Sequence, residues 1–95
     1  MGIPAIVCVF FLLVSSDPQT GPRAQAEGKQ ILSFADWLFD AGDYYRAITE
    51  YERFLFYFPR SSESGRARLR IGVAYERGGK WDQAEEEFQG IIRDS

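Results

Sequence analysis

Between residues 27 and 93, apolar side chains recur every three or four positions, which is the spacing of one face of an α-helix. The first such segment runs from about Glu27 to Ala41 and carries the stripe Ile31, Phe34, Ala35 and Leu38. No segment alternates strictly between apolar and polar residues, as a half-buried strand would. The pattern therefore predicts an all-α chain.

Turn-forming residues predict where the first two helices end. Gly42 suits the left-handed residue that closes the first helix, and Asp43 can cap the second. The second helix is expected to run to about Tyr57, because Pro59 disfavours helical backbone at the residue before it.

Two further helices follow from the same signals. Ser61 or Ser62 is expected to cap a third helix that reaches about Arg77, with Gly72 allowing close approach of another helix. The pair Gly78-Gly79 ends that helix, and a fourth helix is predicted over about residues 81–93. The Ser, Pro and Gly-rich residues 15–26 are predicted to form a flexible linker or the tail of a signal peptide.

The segment 41–55 recurs 37 residues later, at 78–92, with small, acidic and aromatic residues in the same order. The matching pairs are Gly42/Gly79, Tyr44/Trp81, Ala47/Ala84, Glu50/Glu87, Tyr51/Phe88, Phe54/Ile91 and Leu55/Ile92. A repeat of this period is typical of stacked helical arrays, in which one unit cannot bury its apolar face alone. We therefore predict antiparallel helix pairs stacked as an α-solenoid, with one repeat at 28–61 and a second at 65–95.

Composition excludes several kinds of function. The 95 residues carry a net charge of -3, which gives no general reason to expect nucleic acid as a partner. Histidine is absent and Cys8 is the single cysteine, so His/Cys zinc sites and Ser-His or Cys-His catalytic pairs are excluded. We expect no enzyme activity, no cofactor and no metal.

The segment Ile3 to Val14 is almost wholly apolar. It is too short to span roughly 30 Å of hydrocarbon, but its length suits the core of a signal peptide. Ala24-Gln25-Ala26 has the form expected before a cleavage site, so export and a mature chain that starts at Glu27 are predicted. An uncleaved anchor, which would be the one contact with a membrane, and a buried helix remain alternatives. Cys8 is interpreted as an inert thiol.

The repeat residues resemble the tetratricopeptide repeat family over residues 27–95. The first repeat supplies Ala35, Gly42, Tyr44, Ala47, Tyr51 and Pro59 at the family's offsets, and the second supplies Gly72, Gly79, Trp81, Ala84 and Phe88. The resemblance implies two repeats and four helices. The two alanines Ala47 and Ala84 would let paired helices approach closely, with Tyr44, Tyr51, Trp81 and Phe88 filling the space between them.

The same resemblance implies a function, because such repeats usually bind a peptide or a partner helix on the concave face of their first helices. The groove positions map onto Leu32, Asp36, Phe39, Asp40, Leu69, Val73, Glu76 and Arg77. Leu32, Phe39 and Leu69 lie off the packing stripe and are expected to leave apolar surface exposed. Their alternative role is as ordinary surface or repeat-junction residues. Asp36 and Asp40, one turn apart, are interpreted as a solvated face.

Residues 51–61 are similar to repeats of Gram-negative envelope proteins. Among these are the lipoprotein of the outer-membrane barrel-assembly machinery and the periplasmic coordinator of the Tol-Pal system. The likeness implies a non-catalytic interaction module in the periplasm, and association with the outer membrane is a further expectation from it. The alternatives are a cytoplasmic or membrane-tethered adaptor and a truncated accessory domain of a larger envelope protein.

Two repeats are few for independent stability, since such arrays usually need three units. We therefore expect the chain to self-associate, to dock on a partner protein, or to be a piece of a longer array. Self-association would use the surface around Phe56, Ile91 and Ile92.

Overall fold

The computed structural model describes residues 21–94, and these residues form four α-helices joined by short turns. The helices are α1 (Pro22–Asp40), α2 (Tyr44–Tyr57), α3 (Ser64–Arg77) and α4 (Trp81–Arg93). Each helix packs against the next one along the chain, so α2 contacts both α1 and α3. No strand is present in the described part of the chain, and the predicted all-α repeat of two helix pairs is confirmed.

The turns inside the two repeats have the same geometry. Gly42 and Gly79 have φ angles of 82° and 78°, the left-handed region in which a Cβ is unfavourable. Asp43 N–H donates to Leu38 O at 2.9 Å, and Lys80 N–H donates to Tyr75 O at 2.8 Å. These bonds close the preceding helix in the same way in both repeats.

The cap of α2 was predicted correctly and the cap of α3 was not. The Asp43 carboxylate accepts from Arg46 N–H at 3.4 Å, as expected for an N-cap. At α3 the N-cap is Glu63, without a side-chain cap bond. Ser61 instead stabilises the turn, where its Oγ accepts from Glu63 N–H at 3.1 Å.

The beginning of α1 corrects the predicted linker. The helix starts at Pro22, so residues 22–26 are helical rather than part of a flexible segment. Proline is favoured in the first turn because its missing N–H would have no helical partner there. Ala24 packs against the core from this turn. The apolar run Ile3–Val14, Cys8 and residues 15–20 of the predicted linker lie outside the described residues.

The core lies where α1, α2 and α3 meet, and α2 is at its centre. The most deeply buried large side chains are Tyr51, Phe54 and Leu38. Ala47 and Ala84 are 0% and 3% exposed, which confirms that small residues stand where paired helices approach. No helix within residues 21–94 is both long enough and apolar enough to cross a membrane.

Two aromatic residues do not lie where the periodicity placed them. Phe34 was assigned to the packing stripe of α1 but is 40% exposed, and Trp81 was expected between paired helices but is 66% exposed. The reason is their place in the stack. Phe34 lies on α1 at one end of the stack and Trp81 on α4 at the other, and no further described helix covers either end.

Candidate functional site

A shallow cavity of about 370 Å³ lies between the end of α1 and the length of α3. We call it the α1–α3 cavity. Its lining residues are Phe39, Asp40, Arg66, Leu69, Arg70, Val73 and Arg77. On α3, positions 66, 70, 73 and 77 follow helical i, i+4, i+7, i+11 spacing, so that they share one face of the helix.

Five of the eight predicted binding residues line this cavity. They are Phe39, Asp40, Leu69, Val73 and Arg77. Glu76 is exposed on α3 but is not part of the lining. Leu32 lines a different cavity of about 600 Å³, together with Gly28, Phe54 and Phe58.

The expectation that Leu32 and Phe39 leave apolar surface exposed is wrong, whereas Leu69 is 51% exposed as expected. Leu32 and Phe39 are only 5% and 4% exposed. Leu32 lies against α2, and Phe39 lies beneath side chains that α3 contributes.

Phe39 forms the floor of the cavity and holds two arginines. The guanidinium carbons of Arg70 and Arg77 lie 4.4 and 4.9 Å from the centroid of its ring. Tyr44 packs edge-on at 5.5 Å between centroids. Such cation–π contacts fix the position of the guanidinium groups without neutralising their charge. Within residues 21–94 neither arginine forms an ion pair, so the cavity carries local positive charge despite the net charge of -3.

The third arginine of the cavity is engaged in a structural network. Arg66 NH1 donates to both carboxylate oxygens of Asp36, at 3.1 and 3.3 Å, and its Nε donates to Glu63 at 2.7 Å. The hydroxyl of Tyr51 donates to Asp36 as well. Asp36 thus joins α1 to α2 and α3, and its interpretation as part of a solvated face is wrong.

The electrostatics of this network keep Asp36 ionised. Burial opposes the charged carboxylate, but hydrogen bonds from Tyr51 and Arg66 and the charges of Arg66 and Arg70 outweigh burial and lower the pKa of Asp36. Burial and the hydrogen bond to Asp36 raise the pKa of Tyr51. Neither group is therefore poised to exchange a proton near neutral pH.

The described residues contain no group of three or more acidic or cysteine side chains that could hold a metal ion. Arg66 and Arg70 share the side of α3 that lines the α1–α3 cavity, and Arg68 is not part of that lining. Arg68 lies on the α4 side, where its NH2 pairs with Asp94 at 2.9 Å.

Sequence reasoning missed Arg66 and Arg70 as members of the site. The signal was present, because both lie on the helical stripe that also contains the predicted Val73 and Arg77. The sequence pattern does not show where Phe39 lies. Its ring packs beneath Arg70 and Arg77 and forms the floor of the cavity along that stripe.

Residues 32–95 match the family model described as tetratricopeptide repeat. Comparisons with curated proteins and with solved structures gave no match. The matched range covers α2, α3 and α4 and α1 from Leu32 onward.

Proposed function

Because the chain belongs to the tetratricopeptide repeat family, whose repeats generally mediate protein–protein interaction and are typically non-catalytic, we propose that it binds an acidic peptide segment in the α1–α3 cavity. The observation that carries this proposal is the pair of arginines, Arg70 and Arg77, held over Phe39 and neither hydrogen-bonded nor ion-paired to a carboxylate among the described residues.

The charges that line the cavity favour a ligand with a carboxylate group. Arg66 already shares its donors with Asp36 and Glu63, whereas Arg70 and Arg77 keep theirs available for an added carboxylate. Guanidinium groups bind carboxylates through paired, charge-assisted hydrogen bonds. Asp40, at the edge of the cavity, disfavours a second negative charge there, so the ligand carboxylate belongs over Arg70 and Arg77.

The same cavity offers apolar contact. Leu69 is 51% exposed and Val73 is half-buried, and both lie beside the arginines on α3. The stripe from Arg66 to Arg77 is roughly 16 Å long at 1.5 Å per residue. An extended segment of about five residues covers that length. The ligand is therefore a short extended segment with at least one Asp or Glu next to a branched or aromatic apolar residue.

The test is fluorescence anisotropy with the full chain and two labelled peptides of equal length. One peptide alternates Glu and Leu, and the other alternates Lys and Leu. We expect the Glu peptide to bind, and we expect its affinity to fall as salt is added, because salt screens the attraction between exposed charges. Arg70→Gln and Arg77→Gln should each weaken binding by at least about fivefold.

Arg53→Gln provides the matched control. Arg53 is an exposed arginine on α2 that pairs with Glu50 at 3.1 Å and lies outside the cavity. It should leave the affinity unchanged. Equal binding of the Glu and Lys peptides, or equal weakening by Arg53→Gln and Arg77→Gln, would contradict the proposal.

We further propose that the module works in the bacterial envelope after export. The support is the apolar run Ile3–Val14, the Ala24-Gln25-Ala26 motif and the likeness of residues 51–61 to envelope repeats. A cut before Glu27 would remove the first turn of α1, including Ala24, which packs against the core. Mass spectrometry of the N-terminus of the expressed protein shows whether the chain is cleaved before Glu27. A chain that retains residues 1–26 would favour the tethered or cytoplasmic adaptor.

A further inference from the structure

The most extensive helix–helix contact between the two repeats is the one between α2 and α3. On the α3 side it buries Ala67, Ile71 and Ala74, which are 0%, 2% and 0% exposed. On the α2 side it covers Ile48 and Tyr51, which are 7% and 0% exposed. Because the repeat has a period of 37 residues, each half of this contact has a counterpart elsewhere in the same chain.

The counterpart of the α3 half lies on α1. Residues 37 positions before Ile71 and Ala74 are Phe34 and Trp37, which are 40% and 64% exposed. Their rings stack on one another, with centroids 6.2 Å apart, and the guanidinium of Arg46 lies 5.9 Å from the Phe34 centroid. Phe34, Trp37 and Arg46 form what we call the α1 face.

The counterpart of the α2 half lies on α4. Positions 81, 85, 88 and 92 share one side of this helix, and they correspond to Tyr44, Ile48, Tyr51 and Leu55. Trp81 and Ile92 are 66% and 72% exposed, and Phe88 is half-buried. We call Trp81, Glu85, Phe88 and Ile92 the α4 face. Large exposed apolar side chains at helical spacing are typical of an interaction surface.

Suppose that the α4 face of one molecule packs on the α1 face of another in the way that α2 packs on α3 within one chain. The charges of the two faces are then complementary. The internal contact surrounds a cavity of about 570 Å³, lined by five residues of α2, among them Tyr45, Ile48 and Thr49, and by Gln83 of α4. A shift of 37 residues replaces Tyr45, Ile48 and Thr49 by Asp82, Glu85 and Glu86, and Gln83 by Arg46. Three carboxylates of one copy would then surround Arg46 of the next. Asp43, which replaces Lys80 at the same rim, already caps α2 and pairs with Arg46.

We propose that the chain associates end to end with a second copy, the α1 face of one molecule packing on the α4 face of the other. The contact repeats the α2–α3 interface between molecules and continues the solenoid. It leaves one α1 face and one α4 face free at the ends of each assembly, so the association is heterologous and grows beyond a dimer. Of the surface expected to self-associate, Ile92 belongs to it and Phe56 does not.

The test is sedimentation velocity of the full chain over a concentration range from about 10 μM to 1 mM. The average mass should rise with concentration past that of a dimer. Trp37→Glu blocks the α1 face and Ile92→Glu blocks the α4 face, and each should weaken association by at least about tenfold. Both side chains are largely exposed, so the helical circular dichroism spectrum should stay unchanged.

Mixing the two variants gives the decisive result. Each retains one of the two complementary faces, so an equimolar mixture should form a one-to-one dimer that does not grow further. Phe56→Glu, an aromatic position that is 78% exposed outside both faces, should associate like the parent chain.

Three outcomes would overturn the proposal. A parent chain that stays monomeric up to 1 mM would mean that a different occupant covers these faces. Loss of association in Ile92→Glu but not in Trp37→Glu would indicate a symmetric contact between two α4 helices. Equal loss in Phe56→Glu would indicate nonspecific apolar association. None of these readouts depends on peptide binding in the α1–α3 cavity.

Discussion

The ring of Phe88 occupies the space that a side chain on Gly72 would need. A Cβ built on Gly72 would lie 2.8 Å from Phe88 Cδ1 and closer still to Cε1. Gly72 is on α3 and Phe88 on α4, so this contact sets the distance between the two helices of the second repeat. Real Cβ atoms do not approach other carbons so closely, because repulsion rises steeply inside van der Waals contact.

Gly72→Ala should therefore destabilise the protein, although alanine is the better helix former. We expect a loss of about 1–3 kcal/mol in the free energy of unfolding, typical of overpacking. Urea unfolding followed by circular dichroism measures it. Gly65→Ala, in the first turn of the same helix with no atom within 4 Å of its Cβ, is the matched control and should be neutral or stabilising. A stabilising Gly72→Ala would show that α4 does not pack this closely.

The network around Asp36 should contribute measurably to the packing of α1 on α2 and α3. Tyr51→Phe removes the hydroxyl that donates to Asp36 and leaves the buried ring in place. We expect a loss of about 1.5–3 kcal/mol, as for a hydrogen bond to a charged group. Tyr45→Phe, at a residue that is 78% exposed, should change stability by less than about 0.5 kcal/mol. Equal effects of the two substitutions would exclude a special role for the bond.

Two carboxyl groups should give opposite dependences of stability on pH. The pKa of Asp36 is lowered in the folded chain. The ionised carboxylate therefore stabilises the fold at pH values above its ordinary pKa of about 3.8, and this stabilisation is lost as pH falls through the lower pKa of the folded chain. The pKa of Glu87 is raised above 4.5, by burial first and then by the charge of Glu52. At low pH, where Glu87 is protonated, it does not lower the free energy of unfolding. As pH rises through the pKa of Glu87 in the folded chain, ionisation of the carboxyl lowers the free energy of unfolding.

Asp36→Asn should therefore lower stability at pH 7 and flatten the acid limb of the unfolding profile. Glu87→Gln should raise stability at pH 7, with a gain that disappears below about pH 4. Urea midpoints from pH 2 to pH 8 measure both. A Glu87→Gln gain that persists at pH 3 would show that the charge of Glu87 is not the cause.

Leu32 and Leu69 occupy equivalent positions in the two repeats but should respond differently to truncation. Leu32 is 5% exposed and Leu69 is 51% exposed. Leu32→Ala leaves a cavity in the core and should cost about 2–4 kcal/mol. Leu69→Ala should cost less than about 1 kcal/mol and should instead weaken binding of the Glu-Leu peptide. If both substitutions destabilise the fold equally, Leu69 is a core residue and not part of a binding surface.

The sequence was informative wherever a feature depends on neighbours within one repeat. Helical spacing located α2, α3 and α4 to within a residue or two, and Gly42, Gly79 and Asp43 marked the turns because positive φ and a free helix start favour few residue types. The start of α1 was predicted too late. The Pro and Gly content near residue 22 indicated a linker, although proline is well tolerated in a first helical turn.

Features that depend on the next repeat could not be predicted from one repeat alone. Phe39 lies under Arg70 and Arg77, and Asp36 bonds to Arg66, between residues that are 30 to 38 positions apart in the sequence. Trp81 matches Tyr44 in the repeat, yet it is exposed since no described helix follows α4. Periodicity identifies which residues share a face, but whether that face is covered depends on how helices stack in three dimensions.

The most direct test of acidic-peptide binding in the α1–α3 cavity is a nuclear magnetic resonance titration of the full chain with the Glu-Leu peptide. We expect the methyl signals of Leu69 and Val73 and the guanidinium Nε–H signals of Arg70 and Arg77 to shift together, saturating at one peptide per chain. Shifts confined to Trp81 and Ile92, or spread over the whole surface without saturation, would contradict binding in the α1–α3 cavity.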